Sequence, residues 1–387
     1  IKQLKKSHIS VRQLYALETM GAIRVICFDK TGTITRGRIT VLEIYVDGRR
    51  LQIKRRHFVE DGHRVDPLRT NAVRMLMKVC VLCNDSKFEF ENERMAALTL
   101  RVLGFAYKVA APDETIETEQ DLIWIGMVGM AEPIRTGVGN LIKDLHRAGI
   151  ETVMITGDQS LTAYAVACKI GLAGSNKPKI MDSAQFEGLN PELLKAVARD
   201  VQVYSRVNPS QKLQIVMALQ KRGYTVAMTG DGINDGPALR AADIGIAMGL
   251  GGTDVAREVS DIILDNDDIR AIRQAVMGGR LAYTNLKSSF HYCLASNLSE
   301  IILLTAAAAG TASSPLISAQ PLGINVFSEI LPALSLLMEP GPRKLTDLPP
   351  SDPEAPMFNF TDARQIAREA LVLAGAAMTP YGCGMLR

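Results

Sequence analysis

Asp29-Lys30-Thr31-Gly32-Thr33 follows a short apolar β-like run, Ile23–Phe28. A carboxylate at a strand end, followed by a tight turn with free backbone N–H groups, can attack phosphorus while the turn holds the phosphoryl oxygens. Thr156-Gly157-Asp158 closes a later run and offers a hydroxyl to the same group. Lys212 begins a helical pattern and can neutralise charge on it. A further run ends in Thr229-Gly230-Asp231-Gly232-Ile233-Asn234-Asp235. Asp231 and Asp235 add carboxylates to Asp29, and such a cluster calls for Mg²⁺, which takes hard oxygen ligands and shares them with phosphate. Any one of these acids could instead cap a turn. Four such elements in order, each at a strand end, point to phosphoryl chemistry.

Elements that would position them can be read from the pattern. Short β-like runs recur at Ile23–Phe28, Leu122–Val128, Glu151–Ile155, Val201–Ser205, Tyr224–Met228, Ile244–Met248 and Asp261–Leu264. Helix-like segments lie between several of them, at Gly137–Ala148, Leu161–Ile170 and Ser210–Lys221, with Gly149, Gly171 and Gly223 at their ends. Strands alternating with helices of this length imply an α/β fold, a doubly wound parallel sheet. Its chemistry gathers where loops leave the carboxyl ends of the strands. Residues from about 40 to 120 break the alternation with a basic stretch (Lys54, Arg55, Arg56), a helix-like run and an acidic segment, Asp113–Asp121. They read as a small inserted α+β domain. The expected division is 1–39 plus 121–280 for the sheet domain, 40–120 for the insert and 281–387 for C-terminal transmembrane helices.

Two apolar segments occupy that last part, Ser288–Gly310 and Ser313–Met338. Each carries one formal charge, Glu300 and Glu329, and no Lys or Arg occurs between Lys287 and Arg343. At about 1.5 Å per residue either segment can cross a bilayer core. Arg270, Arg273, Arg280 and Lys287 before the pair, with Arg343 and Lys344 after it, place both outer ends and the sheet domain in the cytosol. A third apolar run, Ala367–Met378, reads as part of another span beginning near residue 362; the alternative for the pair is buried core helices. Asn297 and Glu300 share one helix face, as do Asn325, Ser328 and Glu329. Ionisable groups at membrane depth usually mark an ion path, and Pro332 can free backbone carbonyls for coordination. The alternative is hydrogen bonding between helices.

Composition narrows the rest. A net charge of +3 gives no polybasic surface, so nucleic acid is not an expected partner. The six cysteines are scattered. Cys80-x-x-Cys83 lacks a second pair to complete a zinc site and falls in a helix-like run, Ala72–Cys83, so packing is the expected role. A reduced cytosolic setting fits. The chain opens without a signal-peptide pattern and reads as a fragment of a longer protein.

DKTGT at 29–33, TGD at 156–158 and TGDGIND at 229–235 together resemble the signature of P-type cation-transporting ATPases, which belong to the haloacid-dehalogenase-like superfamily. The resemblance covers nearly the whole chain. It implies ATP as substrate, Asp29 as the phosphorylated nucleophile, and Lys30 and Thr31 on the phosphate. Asp29, the Thr31 carbonyl and Asp231 would hold Mg²⁺, with Thr156, Lys212, Asn234 and Asp235 completing the site. Glu132 and Arg135, in Ala-Glu-Pro-Ile-Arg, match a family segment whose acid is usually Asp. Glu132, Arg135, Gly157, Asp158 and Arg206 would then lie near the nucleotide. Asn-Leu-Ser-Glu at 297–300 and Asn-Val-Phe-Ser-Glu-Ile-Leu-Pro at 325–332 resemble the fifth and sixth spans of the calcium-pump group. That implies a transported cation, Ca²⁺ favoured, at Asn297, Glu300, Asn325, Ser328 and Glu329. Here Glu329 stands where that group usually has Asp.

Thr31 stands where phosphatases of the superfamily keep an acid two residues after the nucleophile. General acid–base catalysis is worth about 10²–10⁴ in rate, so its absence favours a lasting acyl phosphate over rapid hydrolysis. The insert is shorter than the family's nucleotide-binding domain. Cys83-Asn84-Asp85 and Leu98–Lys108 resemble that domain's flanks, with Arg101 as the expected nucleotide contact, and a central block is missing between about Phe90 and Met95. The actuator domain and four earlier spans of a full pump have no counterpart. A non-catalytic or regulatory membrane protein and a membrane-tethered phosphatase are the other classes this pattern could serve.

Overall fold

The computed structural model describes residues 4, 7–13, 15–54, 57–66, 69–80, 101–107, 122–188, 190–310, 325–340 and 356–385. Val25 to Asp29 is buried throughout, and its side chains alternate between two cores. Ile26 and Phe28 join one apolar cluster while Val25 and Cys27 join another. A strand covered on both faces reads as a continuous apolar run, and parallel sheets are built from such strands.

This strand is central in an eight-stranded sheet. The order is β1 (Ile9–Val11), β14 (Ile262–Leu264), β13 (Ile244–Met248), β12 (Val226–Gly230), β2 (Val25–Asp29), β9 (Glu151–Ile155), β11 (Val203–Ser205) and β10 (Ile180–Asp182). Every pairing is parallel except the edge contact of β1 with β14. Helices 138–147, 160–170 and 15–22 cover one face, and 209–220, 191–197 and 236–241 the other. The chain leaves β2 for β9 on one side and returns to β12 on the other. That change of direction opens a crevice at the carboxyl ends of these three strands.

A second sheet, antiparallel and six-stranded, runs β6 (His63–Val65), β5 (His57–Glu60), β4 (Arg49–Lys54), β3 (Thr40–Val46), β8 (Ile123–Ala131) and β7 (Arg101–Tyr107). Helix Asn71–Cys80 packs Val73 and Leu76 on one face, against Ile44, Val46, Leu51, Phe105, Ile125 and Val128. The apolar run at 122–128, expected in the parallel sheet, forms the first part of β8 and belongs here instead. Its pairing with β3 and β7 buries Ile125 to Gly129, while Ile123 and Trp124 stay exposed. The two chain passages joining the sheets are clipped together by a bridge between Thr35 and Ile134.

Helix 271–310 is 40 residues long. Ala271, Ile272, Ala275 and Val276 anchor its start in the first core. It then crosses helix 15–22 so closely that a Cβ on Gly279 would lie 2.3 Å from the Leu17 carbonyl oxygen. Farther along, Asn285 donates to the carbonyls of Leu337 and Glu339, and Ser289 to that of Ala333.

The expected membrane spans need correction. No helix among the described residues is long and apolar enough to cross a membrane. Segment 288–310 is the distal part of a longer helix that starts in the sheet domain. Of 313–338 only 325–338 is described, as a π-helical turn, Asn325–Ile330, and helix Leu331–Leu337. The third run lies in helix Phe360–Met385, whose first turns carry Asp362, Arg364, Arg368 and Glu369. Cys83, Asn84, Asp85, residues 98–100 and Lys108, the acidic segment 113–121 and residues 313–324 lie outside the described residues.

Candidate active site

Four of the expected residues meet at the carboxyl end of β2. Asp29 is its last residue and is 4% exposed. Asp231 and Asp235 approach from the loop after β12, and ligand atoms of the three carboxylates lie within 4.8 Å of one another. Lys212 Nζ donates to Asp29 Oδ1 and to Asp235 Oδ1, both at 2.6 Å.

Local sequence explains how each arrives. Asn208 caps helix 209–220: its Oδ1 accepts from Gln211 N at 2.8 Å, and Gln211 Oε1 accepts from Asn208 N at 3.0 Å. With Pro209 in the first turn, this reciprocal cap sets where the helix begins and turns Lys212 inward. Asp235 Oδ2 accepts from the backbone of Gly232 at 3.1 Å, folding the Asp231–Asp235 loop on itself. Gly32 takes a left-handed φ of +70°, and a Cβ there would sit 1.6 Å from Asp231 Oδ2. Only glycine lets the two loops meet this closely.

Burial pushes the Asp29 carboxyl up to about 7, and the charges of Asp235 and Asp231 add to the rise against the opposing pull of Lys212. Burial likewise lifts Asp231 to about 6, with Asp235 adding to it. For Lys212 burial acts downward, but Asp29 and Asp235 outweigh it and its value rises, so it stays charged. Three carboxylates facing one ammonium carry excess negative charge through hard oxygen donors. That donor set fits a divalent cation such as Mg²⁺.

A second cluster lies beside the first. Lys30, 6% exposed, pairs closely with Asp158, and Glu132 Oε2 stands 3.8 Å from its ammonium. Thr35 Oγ1 donates to Glu132 Oε2 at 2.5 Å. Thr156 is buried at the end of β9, where its hydroxyl accepts from Asp158 N at 3.1 Å. Thr31, Gly157 and Asn234 are exposed around the rim. Arg206 is exposed too, in a left-handed conformation with φ +55°, its N–H donating to the Asp158 carbonyl.

The Arg135 guanidinium is engaged by protein, donating to the carbonyls of Gly32 (2.7 Å), Thr35 (3.0 Å) and Asp267 (3.1 Å). Arg101 opens β7 in the antiparallel sheet, within the expected insert. Asp267 was not legible as a site residue, although the acidic loop 265–268 between a strand end and a long helix was a usable signal.

The expected cation residues lie apart, on the C-terminal helices. Glu300 and Glu329 are near enough for their charges to repel. Glu329 Oε1 is buried with no hydrogen-bond partner among the described residues. Asn297 donates to the Cys293 carbonyl of its own helix at 2.9 Å. Pro332 has no N–H for the Ser328 carbonyl, and the Tyr292 hydroxyl donates there instead. Asn325 begins the π-helical turn.

A family model described as haloacid dehalogenase-like hydrolase matches residues 23–243, and one for the C-terminus of cation transporting ATPases matches 313–387. A calcium-transporting ATPase of Bacillus subtilis is 31% identical over 464 aligned residues, covering 92% of this chain. The chain belongs to the haloacid dehalogenase-like hydrolases, among the P-type cation ATPases. A calcium-transporting ATPase of Listeria monocytogenes is 30% identical over 99% of this chain. A P-type sodium-transporting ATPase of Toxoplasma gondii is 40% identical over 70% of it and 22% of its own length. This P-type ATPase chain spans about half the length of the two bacterial relatives, 52% and 53%.

Proposed function

We propose that this chain carries the phosphoryl-transfer part of an ATP-driven cation transporter, with Asp29 as the acceptor. The observation that carries the reading is the buried Asp29 carboxylate, held by Lys212 beside Asp231 and Asp235 at the end of the central strand. In the step, an Asp29 oxygen bonds to the terminal phosphorus of ATP, the bond to the bridging oxygen breaks, and ADP leaves with that electron pair. Lys212 is placed to balance charge on the phosphoryl oxygens, and the Thr156 hydroxyl and the turn from Lys30 to Thr33 to orient them. Asp29, Asp231 and the Thr31 carbonyl would hold Mg²⁺, which when bound screens phosphate charge; Asp235 orients Lys212 and the Asp231 loop. Lys30, Asp158 and Glu132 border the approach from the antiparallel sheet, the side on which a nucleotide with Arg101 and Arg206 would lie.

We further propose that the C-terminal helices lie in a bilayer, with the sheets on the cytosolic side, and that Glu300 and Glu329 bind the transported cation with Asn297, Asn325 and Ser328. Exposed Phe290, Ile301, Phe327, Leu334 and Val372 support this, since large apolar side chains facing outward mark surfaces covered by lipid or protein. Calcium is favoured by the bacterial relatives' names, and the sodium-transporting relative is the counter-case. Incubation with Mg²⁺ and γ-labelled ATP, followed by acid quench, tests the phosphoryl step. Acid-stable label lost in Asp29→Asn is expected; label retained in that variant removes Asp29 from the role.

A further inference from the structure

We propose that Arg135 and Asp267 form a positioning joint that ties the nucleophile turn to the base of helix 271–310. The inference rests on the reading of Asp29 as the phosphoryl acceptor. Arg135 grips the turn on both sides of Thr33, through the carbonyls of Gly32 and Thr35, while its own N–H donates to the Ile34 carbonyl at 2.9 Å. Nη1 of the same guanidinium donates to the Asp267 carbonyl at 3.1 Å, and Nη2, which donates to Gly32, also lies 3.6 Å from the Asp267 carboxylate. A planar group with a fixed fork of donors can hold three carbonyls in one geometry, which a lysine ammonium on a flexible stem cannot.

Asp267 carries the connection in two directions. Four residues later helix 271–310 begins. Its carboxylate also accepts from Leu250 N and Gly251 N, both at 2.9 Å, in the loop after β13. That loop reaches the backbone of Asp231, because Thr253 N donates to the Asp231 carbonyl at 2.8 Å. A closed ring of contacts therefore runs from Gly32 through Arg135 and Asp267 to Asp231, with the helix attached at Asp267. Packing tightens the same junction: a Cβ on Gly137 would meet the Arg270 side chain at 2.8 Å. A shift of the turn on phosphorylation pulls on the helix base through one side chain.

Amide hydrogen exchange on the full chain, with and without Mg²⁺ and beryllium fluoride as phosphoryl mimic, tests the joint. In the wild type the mimic should slow exchange at 32–34 and also at Leu250, Gly251 and 271–273. In Arg135→Lys protection at 32–34 should persist, while that at 250–251 and 271–273 falls on the order of tenfold, as expected for losing charge-assisted hydrogen bonds. Asp267→Asn keeps the carbonyl acceptor and should show a smaller loss at the same amides. It also serves should Arg135→Lys fail to fold. Undiminished protection at 271–273 in the variants overturns the joint, as does a wild-type response confined to 32–34. No wild-type response at 32–34 overturns the Asp29 reading instead, and the mimic-free chains then decide the joint. Faster exchange at 32–35 and 271–273 together in Arg135→Lys supports it, and a change at 32–35 alone overturns it.

Discussion

One group of acids sits in the parallel-sheet domain and another on the C-terminal helices, and they are balanced in different ways. At the sheet end Asp29, Asp231 and Asp235 share one buried ammonium, from Lys212, and backbone N–H groups that bond Asp235. Farther along, Glu300 and Glu329 repel each other, and Glu329 leaves a buried oxygen without a hydrogen bond among the described residues. No Lys or Arg occurs between Lys287 and Arg343. A buried anion needs a partner or a proton. The first group has a built-in counter-ion, Lys212, which donates to two of its three acids. On the proposed function, one group handles phosphate and the other handles cargo.

The largest test of that contrast is Asp29→Asn, which should abolish phosphoryl labelling from ATP while leaving Ca²⁺ binding by the C-terminal residues intact, measured by isothermal titration in detergent. Loss of both at once would mean that the two groups are not separable. Lys212→Met should come next, lowering the labelling rate by about 10²–10³ through lost charge stabilisation. Three carboxylates are then left without their ammonium, so this variant should also melt lower unless Mg²⁺ is present. Glu329→Gln should weaken Ca²⁺ binding on the order of tenfold or more by removing one charged ligand, with labelling of Asp29 by inorganic phosphate unchanged. Gly32→Ala should cost about 1–3 kcal/mol from a strained left-handed alanine and displace Asp231, read as a lower melting temperature and weaker Mg²⁺ affinity.

A last test uses pH. Carboxyls whose folded values are raised favour the folded state while protonated. Without metal, the contribution of Asp29 and Asp231 is therefore full below their ordinary value of 3.8 and is lost as pH climbs through about 6 and about 7. Mg²⁺ binds the ionised forms, so melting curves with and without it should diverge above pH 6. Parallel curves across that range would argue that the carboxylates do not form the metal site.

The sheet end was the more legible of the two in the sequence. Runs buried on both faces leave long apolar strings, and those ending at Phe28, Ile155 and Met228 predicted three neighbouring strands whose ends carry Asp29, Thr156 and Asp231. β8 was not legible in the same way. Its apolar run looks like any parallel strand, and only its partners β3 and β7, far away in sequence, decide which sheet it joins. Arg135 was legible as a site residue but not as a brace, because Asp267 lies 132 positions away. The C-terminal helices were least legible: apolar content suggested full spans, whereas continuity with the sheet domain and charges at 362–369 set different limits.

The 40 residues of helix 271–310 have a mechanical meaning. At about 1.5 Å per residue they make a rod about 60 Å long, so a tilt of about 5° at its base sweeps the far tip by about 5 Å. On the proposed function, small rearrangements around a phosphoryl group would be magnified by leverage alone to a displacement of several ångströms at the far tip.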